Sequence, residues 1–271
     1  MIPAAFGYHR PQSAADAARM LAELGDEAKI LAGGHSLLPL MRLRFASPAA
    51  LVDIGDLDEL RFVERDGDQV RVGALTRHRE LAEHPVIRAS VPLLAMTAGQ
   101  IGDPQVRNRG TIGGSVAHAD PAGEYGTVCL MLDAEIVTTR RRVPAAGFFL
   151  GRFTTPLDPD ELITELAFPA AAGGAAYIKF CHRLFDWALV GAAAQRTSQG
   201  WRIGLVNVAE TPVRAVAVEQ SLDVGAPYAE AARLASDGLR PAPSHRASAE
   251  YKLHLARTLT RRVIEQAATG R

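Results

Sequence analysis

The sequence predicts an α+β protein of two or three small domains, and three patterns lead to that fold class. Short apolar strands accompany a helix at the start of the chain, Asp66-Gly67 separates two strand-like runs, and three further strands precede a helical C-terminal region. With 271 residues the chain is long enough to bury a core in each of these parts.

The first part of the chain predicts one helix followed by two short strands. Ser13 is a typical helix N-cap, Asp16 is the acidic partner of a capping box, and Gly25 is a typical C-terminal stop. The short apolar runs at residues 29–32 and 51–54 predict strands. This part is therefore expected to form an α/β unit.

The middle of the chain predicts a β-hairpin and an apolar helix. Residues 60–64 and 69–75 flank Asp66-Gly67, a dipeptide that favours tight hairpin turns. Alternating apolar positions in the second run are typical of a half-buried strand. Residues 91–101 predict a mostly apolar helix, and Gly173-Gly174 indicates a linker.

The last part of the chain predicts a separate small α+β unit. Residues 177–183, 187–196 and 201–209 have the pattern of strands, and a tight turn at Ser198-Gln199-Gly200 separates the last two. The remaining sequence is rich in Ala and Glu, and a helix is expected near residues 245–268.

Composition and charge exclude several classes of function. Lys and Arg number 30 and Asp and Glu number 30, so the chain lacks the positive charge that a nucleic-acid binder needs. No apolar stretch approaches the ~18 residues of a membrane span, and the N-terminus lacks the pattern of a signal peptide. We expect a cytoplasmic protein. Its two cysteines, Cys129 and Cys181, are too few for an iron–sulfur cluster and are interpreted as reduced thiols.

Two glycine-rich segments carry the functional information. Ala32-Gly33-Gly34-His35-Ser36 and Thr111-Ile112-Gly113-Gly114-Ser115 each place a glycine pair and a hydroxyl beside short apolar runs. Glycine lets a ligand approach the backbone closely, and successive N–H groups in such turns bind anions. Neither segment is a Walker A or a G-x-G-x-x-G motif. Spacing alone leaves two interpretations open, an anion-binding fold and a pair of ordinary turns.

The amino-acid sequences of these segments resemble those of a known family. Residues 32–41, AGGHSLLPLM, and residues 101–114, IGDPQVRNRGTIGG, are similar to the two FAD motifs of molybdenum hydroxylase flavoprotein subunits of the carbon monoxide dehydrogenase and xanthine dehydrogenase type. Residues 118–122, 160–165 and 186–191 also resemble that family. The resemblance covers essentially the whole chain, and its nearest subgroup is the medium subunit of carbon monoxide dehydrogenase-type enzymes.

The resemblance implies a three-part architecture and a set of partners. Two FAD-binding subdomains of the p-cresol methylhydroxylase and vanillyl-alcohol oxidase type are expected at residues 1–57 and 58–172, and a C-terminal domain with a three-stranded antiparallel sheet at 173–271. FAD is expected to bind non-covalently. The molybdenum cofactor and the [2Fe–2S] clusters are expected on a large and a small partner subunit, in a dimer of heterotrimers whose peripheral association with a membrane is also allowed. Electrons would pass from the clusters to FAD here and then to an external acceptor.

The resemblance also implies which residues bind FAD. The first segment is expected to wrap the pyrophosphate with Leu31, Ala32, Gly33, Gly34, His35, Ser36 and Leu37. The second is expected to hold it from the other side with Thr111, Ile112, Gly113, Gly114 and Ser115. His118 and Glu124 are expected near the ribityl chain or pyrophosphate, and Ile163, Lys179 and Trp187 near the flavin ring. No catalytic nucleophile and no metal site are expected in this chain.

Two positions depart from the usual family pattern, and two other functions stay open. Ser115 stands where the family commonly has Asn, and Glu124 stands where it has Asp. Without the resemblance, Lys179 is equally interpreted as an exposed strand lysine, Trp187 as a core residue and His35 as a residue held by its loop. The other functions are a stand-alone FAD-dependent reductase or oxidase of the same fold, and an assembly subunit without flavin.

Overall fold

The computed structural model describes residues 2–171 and 173–270, and the strands among them form three sheets. The strands are β1 Gly7–His9, β2 Ala28–Leu31, β3 Ala50–Asp53, β4 Val63–Asp66, β5 Gln69–Gly73, β6 Glu135–Thr138, β7 Arg142–Pro144, β8 Ile163–Pro169, β9 Ala175–Phe180, β10 Val190–Thr197, β11 Gly200–Val206 and β12 Val213–Arg214. The helices are α1 Ala14–Leu24, α2 Leu37–Arg42, α3 His78–Glu83, α4 Pro85–Ser90, α5 Pro92–Gln100, α6 Pro104–Arg109, α7 Ile112–His118, α8 Glu124–Met131, α9 Val216–Asp223, α10 Tyr228–Ala231 and α11 Ala249–Thr269.

The first sheet is parallel and has the strand order β1-β3-β2, with α1 packed against it. The predicted start of α1 is confirmed, since Ser13 Oγ accepts a hydrogen bond from Asp16 N at 3.0 Å. Its predicted end is confirmed as well, because Gly25 follows the last helical residue with φ +76°. A residue with a Cβ adopts that backbone angle only at a cost.

The second sheet has five strands in the order β4-β5-β8-β6-β7, all antiparallel to their neighbours. Its first two strands are the hairpin predicted around Asp66-Gly67, and Gly67 adopts φ +57°. Helices α3 to α8 cover this sheet, and α5 occupies most of the apolar region predicted as a helix. Leu93, Leu94 and Ala98 of α5 are buried in the core they share with the sheet.

The third sheet is antiparallel in the order β12-β11-β10-β9. It contains the three strands predicted from the sequence, and the two-residue strand Val213–Arg214 adds a fourth beside β11. The long C-terminal helix α11 buries Leu255, Leu259 and Val263 against this sheet. The α+β fold class is therefore confirmed, whereas the exact domain boundaries stay a prediction.

Hydrogen bonds join the second and third sheets into one assembly. Asn207 N donates to Pro121 O at 3.0 Å, and Thr127 Oγ1 donates to Leu205 O at 3.0 Å. Gln100 Nε2 donates to Tyr177 O at 3.1 Å. Among the described residues, no helix combines the length and the apolar character that crossing a membrane requires.

Candidate functional site

One cavity of about 590 Å³ lies where the three sheets and their connections meet. This volume falls within the ~300–1,000 Å³ typical of ligand and cofactor sites. All but one of the residues predicted to bind FAD line it, namely Leu31, Ala32, Gly33, Gly34, His35, Ser36, Leu37, Thr111, Gly113, Gly114, Ser115, His118, Glu124, Ile163, Lys179 and Trp187. Positions far apart in the sequence are thus brought to one place.

The first glycine segment, between β2 and α2, offers free backbone donors to the cavity. Within residues 2–171 and 173–270, the N–H groups of Gly33, Gly34, His35 and Ser36 have no hydrogen-bond acceptor. Gly34 adopts φ +77°, which turns the backbone sharply at this point. A run of unpaired N–H groups around such a turn forms a concave site for an anion.

The two glycine segments touch one another across the cavity wall. A Cβ on Gly33 would lie 2.5 Å from Arg109 O and 2.8 Å from Gly110 Cα, closer than packed atoms can approach. A Cβ on Gly114 would lie 2.8 Å from Thr111 Oγ1 and 3.8 Å from the Ala32 side chain. Gly33 is therefore required by its contact with the backbone just before the second segment, and Gly114 by the Thr111 hydroxyl of its own segment.

The prediction of a second anion-binding loop is corrected by the structure. Residues 112–118 form helix α7, and Thr111 is its N-cap, with Oγ1 accepting from Gly114 N at 3.2 Å. Gly113 N donates to Ala74 O at 2.9 Å, and Ser115 N donates to Thr111 O at 3.1 Å. These N–H groups are already satisfied, so this segment shapes the wall and does not supply the free donors expected of it.

Ile112 is the predicted site residue that does not line the cavity. Its N–H donates to Thr76 O at 3.1 Å, and its side chain is fully buried in the core beneath the second sheet. The reason is helical geometry, because the first turn of α7 presents its neighbouring residues to the cavity and Ile112 to the core. Any role of Ile112 toward a ligand is therefore indirect.

Glu124 and Lys179 form a buried charge pair in the cavity wall. Lys179 Nζ lies 2.9 Å from Glu124 Oε1, and the two side chains are 6 % and 2 % exposed. Lys179 Nζ also donates a hydrogen bond to Gln100 O at 3.2 Å, and the described residues give Glu124 Oε1 no second partner besides Lys179. Lys179 is therefore not the exposed strand lysine of the alternative interpretation.

Burial raises the pKa of Glu124 above its ordinary value, and the charge of Lys179 opposes that rise. The carboxyl group stands at the first position of α8, between the second and third sheets. A buried carboxylate is costly unless it is paired, and Lys179 supplies that pairing. Glu124 therefore lines the cavity as one half of a buried ion pair.

Aromatic side chains stand at the mouth of the cavity. Phe185 and Trp187 belong to the connection between β9 and β10 and are 49 % and 54 % exposed. Asp186 Oδ2 accepts from Arg246 Nη1 at 2.9 Å, which ties this connection to the turn before α11. The interpretation of Trp187 as a core residue is wrong, because half of its surface faces solvent beside the cavity.

The segment that leads into β8 forms another wall and is held by ion pairs. Leu157, Pro159, Leu162 and other residues of this segment line the cavity. Glu161, buried beneath them, accepts a hydrogen bond from Arg141 Nη2 at 2.8 Å and one from Thr138 Oγ1 at 2.6 Å. Burial alone raises the pKa of Glu161, but the hydrogen bonds from Arg141 and Thr138 outweigh it and hold that pKa at about 2.

His118 closes α7 and is partly covered by an aromatic ring. Its imidazole lies 5.0 Å from the ring of Phe153, measured between centroids. Burial lowers the pKa of His118 below its ordinary value, so it faces the cavity as a neutral group at neutral pH. This placement makes it a polar contact and not a charge for a bound anion.

The sequence prediction missed His78, Gly110, Asp120 and Phe185, all of which line the cavity. Gly110 and Asp120 stand inside stretches that resemble the family, so the signal for them was present. Nothing in the sequence marks His78, because its position depends on how α3 packs against the turn before α7.

Two protein families match consecutive regions of the chain. Residues 4–171 match the FAD binding domain in molybdopterin dehydrogenase, and residues 175–267 match the CO dehydrogenase flavoprotein C-terminal domain. Together these matches span nearly all the elements that build the cavity.

Several characterised proteins are similar to this chain over nearly their whole length. The carbon monoxide dehydrogenase medium chain of Hydrogenophaga pseudoflava is 41 % identical, with 98 % of each chain covered. The 6-hydroxypseudooxynicotine dehydrogenase complex subunit alpha of Paenarthrobacter nicotinovorans is 37 % identical, over 98 % of this chain and 96 % of the relative. A solved structure of the Hydrogenophaga pseudoflava carbon monoxide dehydrogenase superposes with a TM-score of 0.95 at 42 % identity, covering 100 % of this chain and 99 % of the other.

The fold, the glycine-walled cavity and the matched regions define a flavoprotein of the FAD-binding class, and its relatives are subunits of dehydrogenases. Within that class, the chain belongs to the flavoprotein medium subunits of the molybdenum hydroxylase family. The resemblance of the two glycine motifs to this family is thereby confirmed.

Proposed function

We propose that this chain is the electron-transfer subunit of a molybdenum hydroxylase complex, taking electrons from [2Fe–2S] clusters on a small subunit and passing them to an external acceptor. The observation that carries the proposal is a run of unsatisfied backbone N–H groups beside one cavity. The N–H groups of Gly33 to Ser36 are free to bind an anion, and the buried Glu124–Lys179 pair lines the same cavity.

These residues fit FAD in chemistry as well as in position. A dinucleotide carries a diphosphate, which suits the free N–H groups of the first glycine segment. The hydroxyl and N–H donors on the flavin half suit the carboxylate of Glu124, which lines the cavity. Apolar side chains such as Leu75, Leu162 and Ile163 supply surface for rings between these polar groups.

The protein contributes binding, orientation and electrostatics to the chemistry of the cofactor. Bound FAD supplies the ability to accept electrons from one partner and release them to another. Lys179 places a positive charge in the wall, where it favours electron uptake, and Glu124 balances that charge. Trp187 and Phe185 shield the mouth of the cavity, and Trp187 is proposed to stack on the flavin.

The similar proteins are a medium chain and a subunit of larger enzymes, which supports the presence of partner subunits for this chain. We propose a large subunit that holds the molybdenum cofactor and a small subunit with the clusters, in a cytoplasmic dimer of heterotrimers. The relatives act on carbon monoxide and on 6-hydroxypseudooxynicotine, so the substrate is proposed to be selected by the large subunit and not by this chain.

Rapid mixing tests this function. The FAD-loaded chain is mixed without oxygen with the chemically reduced [2Fe–2S] subunit of its own complex, and the flavin absorbance near ~450 nm is followed. The proposal predicts loss of that absorbance as the clusters are reoxidised. Clusters that stay reduced in the assembled complex would contradict it. Turnover of an organic substrate by the isolated chain would instead favour the stand-alone reductase or oxidase.

A further inference from the structure

His78 is a buried residue in the cavity wall that the proposed contacts do not use. It is the first residue of α3 and is 4 % exposed. Its backbone N–H donates to Gly110 O at 3.1 Å, which fixes it beside the turn between the two glycine segments. It therefore lies next to the part of the cavity where the first glycine segment leaves its N–H groups free.

Tyr125 orients the imidazole of His78. The Tyr125 hydroxyl lies 3.0 Å from His78 Nδ1, and Tyr125 is fully buried. This is the only hydrogen bond of the Tyr125 hydroxyl within the part of the chain that the structure describes. A buried phenol without an acceptor is costly, so the phenol donates to Nδ1 and the ring proton resides on Nε2.

The imidazole is neutral at physiological pH. Burial lowers the pKa of His78 to about 3, and the nearby charges of His35, Arg77 and Arg107 act in the same direction. His78 is thus a hydrogen-bond donor through Nε2 without being a cation. Such a group stabilises an anion without adding a titrating charge to the site at neutral pH.

His78 lines the cavity, and its Nε2 atom lies beside Gly110. A Cβ on Gly110 would lie 2.5 Å from Nε2 and 2.7 Å from Cδ2 of His78, so glycine is required for the ring to occupy this position. Nε2 has no hydrogen-bond partner among residues 2–171 and 173–270. An unpaired donor on a buried ring in a cavity wall is a group that a ligand is expected to satisfy.

We infer that His78 is a further binding residue of this site, donating a hydrogen bond from Nε2 to a phosphate oxygen of the dinucleotide, with Tyr125 as the residue that positions it. The inference rests on the proposed flavin site. Phosphate is favoured over the flavin ring because Gly110 packs directly against Gly33, whose N–H group is one of the free donors.

The experiment measures FAD binding to the flavin-depleted full chain and the ³¹P resonances of bound FAD. In His78→Ala the dissociation constant is expected to rise about tenfold to a hundredfold, as for loss of a hydrogen bond to a charged group. In Tyr125→Phe, which keeps the ring of His78 in place, we expect a smaller rise. Both variants are expected to shift a ³¹P resonance. Arg79→Ala, on the exposed face of the same helix, is the matched control and is expected to change neither quantity.

The outcomes separate this inference from the proposed function. Unchanged ³¹P resonances together with unchanged FAD affinity in the folded variants would overturn the role of His78 and leave the flavin site standing. Failure of the wild-type chain to bind FAD would overturn both. Tyr125→Phe keeps the test decisive if His78→Ala does not fold, because it removes one hydroxyl without opening a large cavity.

Discussion

At the single residue Gly33, backbone packing and the approach of a ligand both require the absence of a side chain. It lies against the backbone of Arg109 and Gly110, directly before the second glycine segment, while its own N–H has no acceptor among the described residues. The sequence predicted the importance of this glycine, because its motif resembles the family. The backbone contact with Arg109 and Gly110 was not predictable, since it joins positions that only the folded chain brings together.

Gly33→Ala is expected to weaken FAD binding by more than tenfold. The added methyl group would meet Arg109 O at 2.5 Å, and separating the segments costs about 1–3 kcal/mol, as overpacking does in cores. Isothermal titration of the flavin-depleted chain with FAD measures the effect. Gly147→Ala is the control, because a Cβ there would meet nothing within 4 Å. Equal affinities for the two variants would count against the tight contact at Gly33.

Glu124 is the residue whose exact role the sequence left open. The structure pairs it with Lys179 at 2.9 Å, an arrangement that brings the first residue of α8 to a residue of β9. Both residues were predicted as separate contacts of FAD. Their pairing was not predictable, because the sequence shows neither that the two positions meet nor that both are buried.

Glu124→Gln is expected to raise the reduction potential of bound FAD by an amount on the order of tens of mV. The change leaves the positive charge of Lys179 unbalanced, and that charge favours the reduced, more negative flavin. A potentiometric titration followed by absorbance gives the value. Glu124→Asp retains the charge and is expected to stay nearer the wild type. A potential unaffected by Glu124→Gln would refute the charge-balancing role.

Among the structural elements, the second glycine segment departs most from its predicted conformation. It was predicted as a loop with free donors and is the first turn of α7, whose N–H groups are satisfied by Thr111, Ala74 and Thr76. A glycine pair lowers helix propensity, so the sequence alone favoured a loop. Tertiary hydrogen bonds to the strand end at Ala74 stabilise the helical turn despite the glycines.

The segment before β8 depends on the ion pair between the buried Glu161 and the half-exposed Arg141, and this pair gives a prediction for stability. Arg141→Met is expected to lower the free energy of unfolding by about 1–3 kcal/mol at pH 7, because Glu161 would stay buried with fewer donors. Urea titrations of the flavin-free chain measure the change. Arg79→Met, which breaks an exposed pair with Glu83, is the control and is expected to change stability by less than about 1 kcal/mol.

The ion pair between Arg141 and Glu161 also determines how the free energy of unfolding changes with pH. The pKa of Glu161 is held at about 2, below its ordinary value of 4.5, so its contribution to stability is present above pH 4.5 and is lost as the pH falls toward 2. The stability difference between wild type and Arg141→Met is therefore expected to shrink over that interval. A difference that stays constant from pH 7 to pH 3 would show that Arg141 acts through packing alone.

At the scale of the whole molecule, the cavity is a product of all three sheets. Its walls include residues from Leu21 to Trp187, and hydrogen bonds such as Asn207 N to Pro121 O hold the third sheet against the second. The α+β class and most of the strands were predictable from periodicity and turn residues. The closure of one cavity was not predictable from periodicity, because it depends on side chains more than a hundred positions apart meeting in space.

The most direct test of the flavin site is the visible absorption spectrum of the purified full-length chain, recorded before and after incubation with FAD and desalting. We predict bands near ~370 and ~450 nm that survive desalting and are released as free FAD on heating, as for a non-covalent flavoprotein. A folded chain that retains no flavin from excess FAD would contradict the assignment of the cavity and would favour the assembly subunit without flavin.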